Sequence, residues 1–240
     1  MATPDPPVGD AGDKDAERAF DGSPTWKVVR TLHDGSTITI RPIAPEDRDS
    51  LRSEFRKTSA STRYLRFLGS VGELTEDMLT YLTVVDQKDH VALVATIITP
   101  DLKTERGVGV ARVIRLHGED HVAEAAITVT DDMQKQGVGS ALAIELERAA
   151  RFRGVRTIRA EVLEGNSAMR GILEALGAKR VGSREGSGTL SYDIAIEEAP
   201  PMPSRIVDVL RGAAETMAMS IRRLVPPGLT SLTGDRPPEK

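Results

Sequence analysis

The chain contains no cysteine. That absence alone excludes disulfides, thiolate metal sites and a cysteine nucleophile. Histidine is nearly as scarce, and His33, His90, His117 and His121 show no metal-ligand spacing, so all four are read as ordinary structural residues. No apolar run approaches the roughly 20 residues that a membrane-spanning helix needs. The first residues are acidic and Pro-rich, unlike the basic-then-apolar order of a secretory signal. A cytoplasmic protein is the expectation. Aromatic residues make up 3% of the chain, so the core must be built from Leu, Ile, Val and Ala.

Charge excludes a further class. Residues 1–24 carry six acids (Asp5, Asp10, Asp13, Asp15, Glu17, Asp21) and two bases (Lys14, Arg18). That is a net −4, the same as the net −4 of the whole chain. The remainder is balanced, and bulk charge points to no nucleic-acid partner.

What is present suits one domain with appendages: 240 residues, 39% of them hydrophobic. Residues 1–24, rich in Pro, Gly, Asp and Ala, are expected to be a disordered acidic tail, with structure starting at Trp26. Residues 25–198 are expected to form the domain. "STITIRPI" (Ser36 to Ile43) reads as a strand after the turn His33-Asp34-Gly35. Pro45 opens a helix to about Lys57, a second helical piece holds Tyr64, Leu65, Phe67 and Leu68, and a third starts near Thr75.

From His90 the period changes to that of strands. "HVALVATIITP" and "GVGVARVIRL" suit an antiparallel hairpin, and "VAEAAITVT" is a further strand. Residues 138–153 form a helix closed by Gly154, "RTIRAEVLE" is a strand, Asn166 to Leu176 is a helix ended by Gly177, and "TLSYDIAI" is the last strand. Residues 199–240 are expected to be a Pro-rich linker and an amphipathic helix from Ser204 to Leu224. That helix could dock on its own domain, on a second copy or on a partner, and its arginines also permit a membrane-surface role.

The most informative stretch is "TDDMQKQGVGSAL", where a strand ends and glycines open a helix. A helix N-terminus offers unpaired N–H groups and partial positive charge, and glycine admits close approach to the backbone. On the glycines alone, a ligand-free turn and a phosphate cradle are both open. A Rossmann fingerprint fails because Leu142, three residues after Gly139, stands where its last glycine belongs, and the G-K-[ST] of a P-loop is missing.

Gln134-x-x-Gly137-x-Gly139 resembles the Q/R-x-x-G-x-G/A motif of the GNAT N-acetyltransferase superfamily, and residues 36–197 follow that family's order of elements. The resemblance implies an α/β fold of α+β kind, with a mixed, mostly antiparallel central sheet flanked by helices. It also implies acetyl-CoA as cosubstrate. The amides of Gln136, Gly137, Val138, Gly139 and Ser140 would take its pyrophosphate, with Gln134 and Lys135 in the same cofactor-binding turn. The thioester carbonyl would meet an amide around Ile127, Thr128 and Val129 that a local bulge frees. Asn166 sits where the family often places an asparagine near the cofactor, although its position also suits a plain helix N-cap.

"DGSTITIRPIAPEDRDSL", "STRYLRF" and "AEAAITVTDDMQKQGVGSAL" further resemble the bacterial Pat-type protein lysine acetyltransferases. That likeness implies Glu124 as general base and a lysine of a metabolic enzyme, such as an acyl-CoA synthetase, as acceptor. Taken alone, Glu124 is an ordinary strand glutamate, and Glu161 is the reserve candidate. Leu173 stands where many superfamily members carry a tyrosine acid, so no general acid is named. Pat-type domains are often joined to a cyclic-nucleotide-binding or acyl-CoA-synthetase-like domain, and that form of control is not expected here. A small-amine acceptor and a non-catalytic acyl-CoA-binding module are the alternatives.

Overall fold

The computed structural model describes residues 19–32, 34–57, 72–99, 104–165, 167–175, 177–183 and 188–196. Asn166, the helical piece at 64–68 and the segment from 199 to 240 lie outside the described residues.

The described strands are β1 (Val28–Thr31), β2 (Thr37–Pro42), β3 (His90–Ile98), β4 (Glu105–Leu116), β5 (Glu119–Val129), β6 (Thr157–Leu163), β7 (Lys179–Ser183) and β8 (Thr189–Ala195). They form one sheet in the order β1-β2-β3-β4-β5-β6-β8-β7. Only β5 and β6 run parallel; the other neighbours are antiparallel. The fold is the expected mixed, mostly antiparallel sheet with helices on its faces. Two strands were not anticipated. β1 is four residues long with one buried side chain, and β7 lies at an edge with Val181 exposed, so neither carries a clean alternation.

Helix α1 (Arg48–Lys57) follows a 3-10 turn at Pro45–Asp47. Pro45 supplies a fixed φ, the Ala44 N–H donates to Asp47 Oδ2 at 2.8 Å, and Arg41 clamps the same carboxylate from β2. Helix α2 (Glu76–Thr83) starts where the sequence predicts, with Thr75 Oγ1 accepting from the Met78 N–H at 3.2 Å. Both helices cover one face of the sheet: Phe55, Leu79 and Leu82 pack on Ile114 and Ala126, and Leu51 on Val94 and Val110.

Helix α3 (Val138–Phe152) covers the opposite face, where Val138, Leu142 and Leu146 meet Leu93, Ala111, Ala125 and Ile127. Leu173 of α4 (Ser167–Ala175) joins the same cluster. This larger core also takes in Phe20 and the fully buried Trp26, whose rings meet edge-on at 5.1 Å. Phe20 is thus packed although it lies within the stretch expected to be tail. One buried phenylalanine is too short a signal to stand out in a polar segment.

Gly109 lets α3 lie close on β4. A Cβ there would sit 2.8 Å from Leu142 Cδ1, 3.0 Å from the Thr128 carbonyl oxygen and 3.3 Å from Val138 Cγ1. One of these neighbours is backbone and cannot rotate away. Gly109→Ala is therefore expected to destabilise by about 1–3 kcal/mol through overpacking, read as a lower urea midpoint at unchanged slope.

Candidate functional site

The site grows from the one parallel junction. β5 pairs with β6 only at Val122↔Thr157, Ala123↔Ile158 and Glu124↔Arg159. Beyond Glu124 the two strands part, while β5 stays in unbroken register with β4 from Ala123 to Val129. The Thr130 N–H donates to the Val108 carbonyl at 2.9 Å, so even-numbered residues of this run turn their backbone groups toward β4. By the two-residue alternation, the N–H groups of Ile127 and Val129 point into the gap, and that of Thr128 points to β4, opposite Val110. The expected bulge is not there, since the register shifts of this sheet fall at Ala95/Thr96, Arg115/Leu116 and Arg180/Gly182. Splaying of β6 away from β5 frees the amides instead.

At the end of β5 a 3-10 turn (Asp131–Met133) leads into the glycine turn. Lys135 and Gly137 both adopt positive φ, +61° and +101°. Gly137 is the N-cap of α3 and supplies no side-chain acceptor, and the first turn carries no acid. The first bond within the helix runs from the Ala141 N–H to the Gly137 carbonyl at 3.0 Å, which leaves the amides of Val138, Gly139 and Ser140 without a helical acceptor. An open helix N-terminus of this kind suits an anion in geometry and in field. The glutamines shape it: Gln134 Nε2 donates to Asp131 Oδ1 at 3.0 Å, and Gln136 Nε2 donates to the Asp132 carbonyl at 2.9 Å. Arg106 ties Asp132 to β4 at 2.5 Å. Burial pulls the Asp132 carboxyl upward, but the hydrogen bonds from Arg106 and Thr130 outweigh it and leave the group below the usual carboxylate range.

Glu124 is buried at 6% exposure on the face covered by α1 and α2, opposite Ile114 of β4 and level with Arg159 of β6. Glu161 lies on the same face of β6 and accepts a hydrogen bond from Ser191 Oγ at 2.6 Å. Arg159 is held by Asp193 at 2.7 Å and Glu119 at 2.7 Å. Leu173 is fully buried in the main core, so the position read as a missing tyrosine has a packing role.

Two neighbours were missed by sequence reasoning. Arg112, fully buried one diagonal step from Glu124, places Nη1 3.2 Å from His90 Nε2. An arginine inside the otherwise apolar run "GVGVARVIRL" was the available signal. Burial first, and then the Arg112 cation, push the His90 imidazole down to about 3, with Asp86 opposing. The folded protein thus keeps His90 neutral where the unfolded chain, with a histidine near 6.5, takes up a proton. Stability is fully present above about pH 6.5 and is lost as pH falls toward 3, with a slope of at most about 1.4 kcal/mol per unit. His90→Gln should flatten the change in urea midpoint between pH 6.5 and 5, above the carboxylate range.

A partly open pocket lies elsewhere along the same face. It sits between α1 and the sheet at the level of Val94, Val110 and Thr128, four residues along β5 from Glu124. Among the described residues there is no cluster of metal-ligating side chains, and no helix is long and apolar enough to cross a membrane.

Comparison with known proteins agrees with this geometry. Residues 37–179 match the family described as the acetyltransferase (GNAT) domain. The chain is 32% identical over 197 residues to the acetyltransferase Pat of Mycolicibacterium smegmatis, covering 80% of this chain and 56% of that protein. It is 34% identical over 157 residues to the acetyltransferase PA5475 of Pseudomonas aeruginosa, covering 65% of this chain and 82% of that one. The crystal structure of the GNAT domain of S. lividans PAT is similar at TM-score 0.60 and 29% identity, covering 71% of this chain and 97% of that domain. The chain thus spans little more than half the length of the M. smegmatis relative.

Proposed function

The chain belongs to the GNAT acetyltransferase family, and from that premise we propose that it moves acetyl from acetyl-CoA to the side-chain amine of a protein lysine, with Glu124 as general base. The observation that carries the reading is the position of Glu124. It is the last residue of β5 paired to β6, so a buried carboxylate stands where the strands open and the amides of Ile127 and Val129 become available.

Bound acetyl-CoA supplies an activated thioester. The cradle residues fit its diphosphate: the amides of Val138, Gly139 and Ser140 are open, Gly137 leaves room, and Lys135 adds a positive charge. In this reading, Ile127 and Val129 donate to the thioester oxygen, and charge developing there is met by fixed dipoles. An exposed lysine amine titrates near about 10.4, so about one in 2,500 is neutral at pH 7, a deficit of roughly 4–5 kcal/mol. Glu124 takes up the proton that the amine must lose, directly or through water. Attack is direct, without a covalent enzyme intermediate, and positioning supplies much of the rate. Glu161, engaged by Ser191, is the weaker candidate base. Asn166 keeps its proposed place near the cofactor's pantetheine arm.

The protein-lysine acceptor rests on the likeness to Pat and to the S. lividans PAT domain. A cytoplasmic metabolic enzyme is the proposed substrate class, and self-association through residues 204–224 is the proposed role of that segment. The test is labelled acetyl-CoA offered to a lysate and, separately, to a panel of free amines. Label in protein bands is expected. Label confined to small amines would move the acceptor to that class, and binding without any transfer would make the chain an acyl-CoA-binding module.

A further inference from the structure

The cavity beneath α1 has no part in the acetyl-transfer scheme. Its floor is Val94 of β3, Val110 of β4 and Thr128 of β5, and its roof is Leu51 and Phe55 of α1. Its lining is mainly apolar with a few hydroxyls, from Ser50, Thr128 and Thr130, the composition of small-ligand pockets in general. The two carboxylates at its margin are engaged: Asp47 binds Arg41 at 2.8 Å and Glu54 binds Lys57 at 2.7 Å.

Resting on the acetyl-CoA reading above, we propose that this cavity receives the hydrocarbon chain of an acyl-CoA longer than acetyl. Thr128 lies between the two residues whose amides face the β5–β6 gap, and its side chain reaches the cavity. From a carbonyl held by Ile127, the cavity is one strand away, about 4.8 Å, and one residue further toward the cofactor turn. Acetyl ends in a single methyl and stops short, whereas a chain several carbons longer enters.

Geometry separates this occupant from the acceptor. The amine must approach Glu124, which lies three residues back from Ile127, whereas the cavity lies forward of Ile127. Charge separates it from acidic acyl groups. A succinyl carboxylate would meet Asp47 and Glu54 at the margin and a mainly apolar floor, and among the described residues no Lys or Arg lines the pocket to pair with it.

Calorimetric binding of acetyl-, butyryl-, hexanoyl- and succinyl-CoA to the full chain tests this without knowledge of the acceptor. Hexanoyl-CoA is expected to bind about tenfold tighter than acetyl-CoA or better, with butyryl-CoA between them and succinyl-CoA gaining nothing. Leu51→Phe fills the cavity from the half-buried helix side and Val110→Phe from the floor. Either variant, once a thermal melt shows it folded, should lose the hexanoyl advantage and keep acetyl-CoA affinity. Equal affinities for acetyl- and hexanoyl-CoA, or an advantage that survives both substitutions, overturns the pocket and leaves the acetyl-CoA reading standing. Failure to bind any of the four overturns both.

Discussion

Glu124→Gln is expected to lower acetyl transfer about 10²–10⁴-fold while acetyl-CoA affinity stays within about twofold. The substitution keeps shape and hydrogen-bonding capacity but cannot accept the proton. Binding is expected to be spared because the proposed cofactor contacts lie on other groups, the gap amides and the open first turn of α3. The loss should appear in kcat/KM at neutral pH and shrink as pH rises, because free amine becomes abundant near its own pKa. A uniform loss at every pH would instead point to displaced substrate. Transfer that survives intact in Glu124→Gln would remove Glu124 from the mechanism and bring Glu161→Gln forward as the next variant.

Trp26→Ala is expected to cost about 3–5 kcal/mol in stability. Trp26 is the largest of the fully buried side chains, and its indole N–H donates to the Ala19 carbonyl at 3.1 Å. Phe20 rests on it, and Arg153 lies over the Phe20 ring while Nη2 donates to the Gly22 carbonyl at 3.4 Å. Residues 19–26 thus clasp the end of α3, and removing the indole leaves a cavity at the centre of that clasp. Urea denaturation followed by far-UV dichroism measures it. A cost below about 1 kcal/mol would mean that this segment lies outside the cooperative unit of the fold.

The glycine turn was legible because its requirements are local. Only a few residues suit a positive φ at a helix mouth, and Gly137 shows it at +101°. The α1, α2 and α3 boundaries were legible for the same reason, since Pro45, Thr75 and Gly154 act on their own neighbours. Glu124 as a candidate depended on likeness, because one glutamate in a strand carries no local signal of burial.

Other features depend on strands brought together across the chain. Which amides of β5 are available follows from β6 parting after Glu124, and that is a property of two strands separated by α3. The expected bulge was implied by the family resemblance, which does not say where β6 stops pairing with β5. β1 and β7 are strands mainly because a neighbour offers an edge to pair with, and their own patterns are weak. The placement of Arg112 beside His90, and the cavity between α1 and β4, arise where segments from distant parts of the chain share one face. By itself, then, the sequence determined most of the element types, the glycine turn and the family. Tertiary structure decided which backbone groups face the gap, which polar groups are buried together and where a pocket opens under α1, because these depend on contacts between residues far apart along the chain.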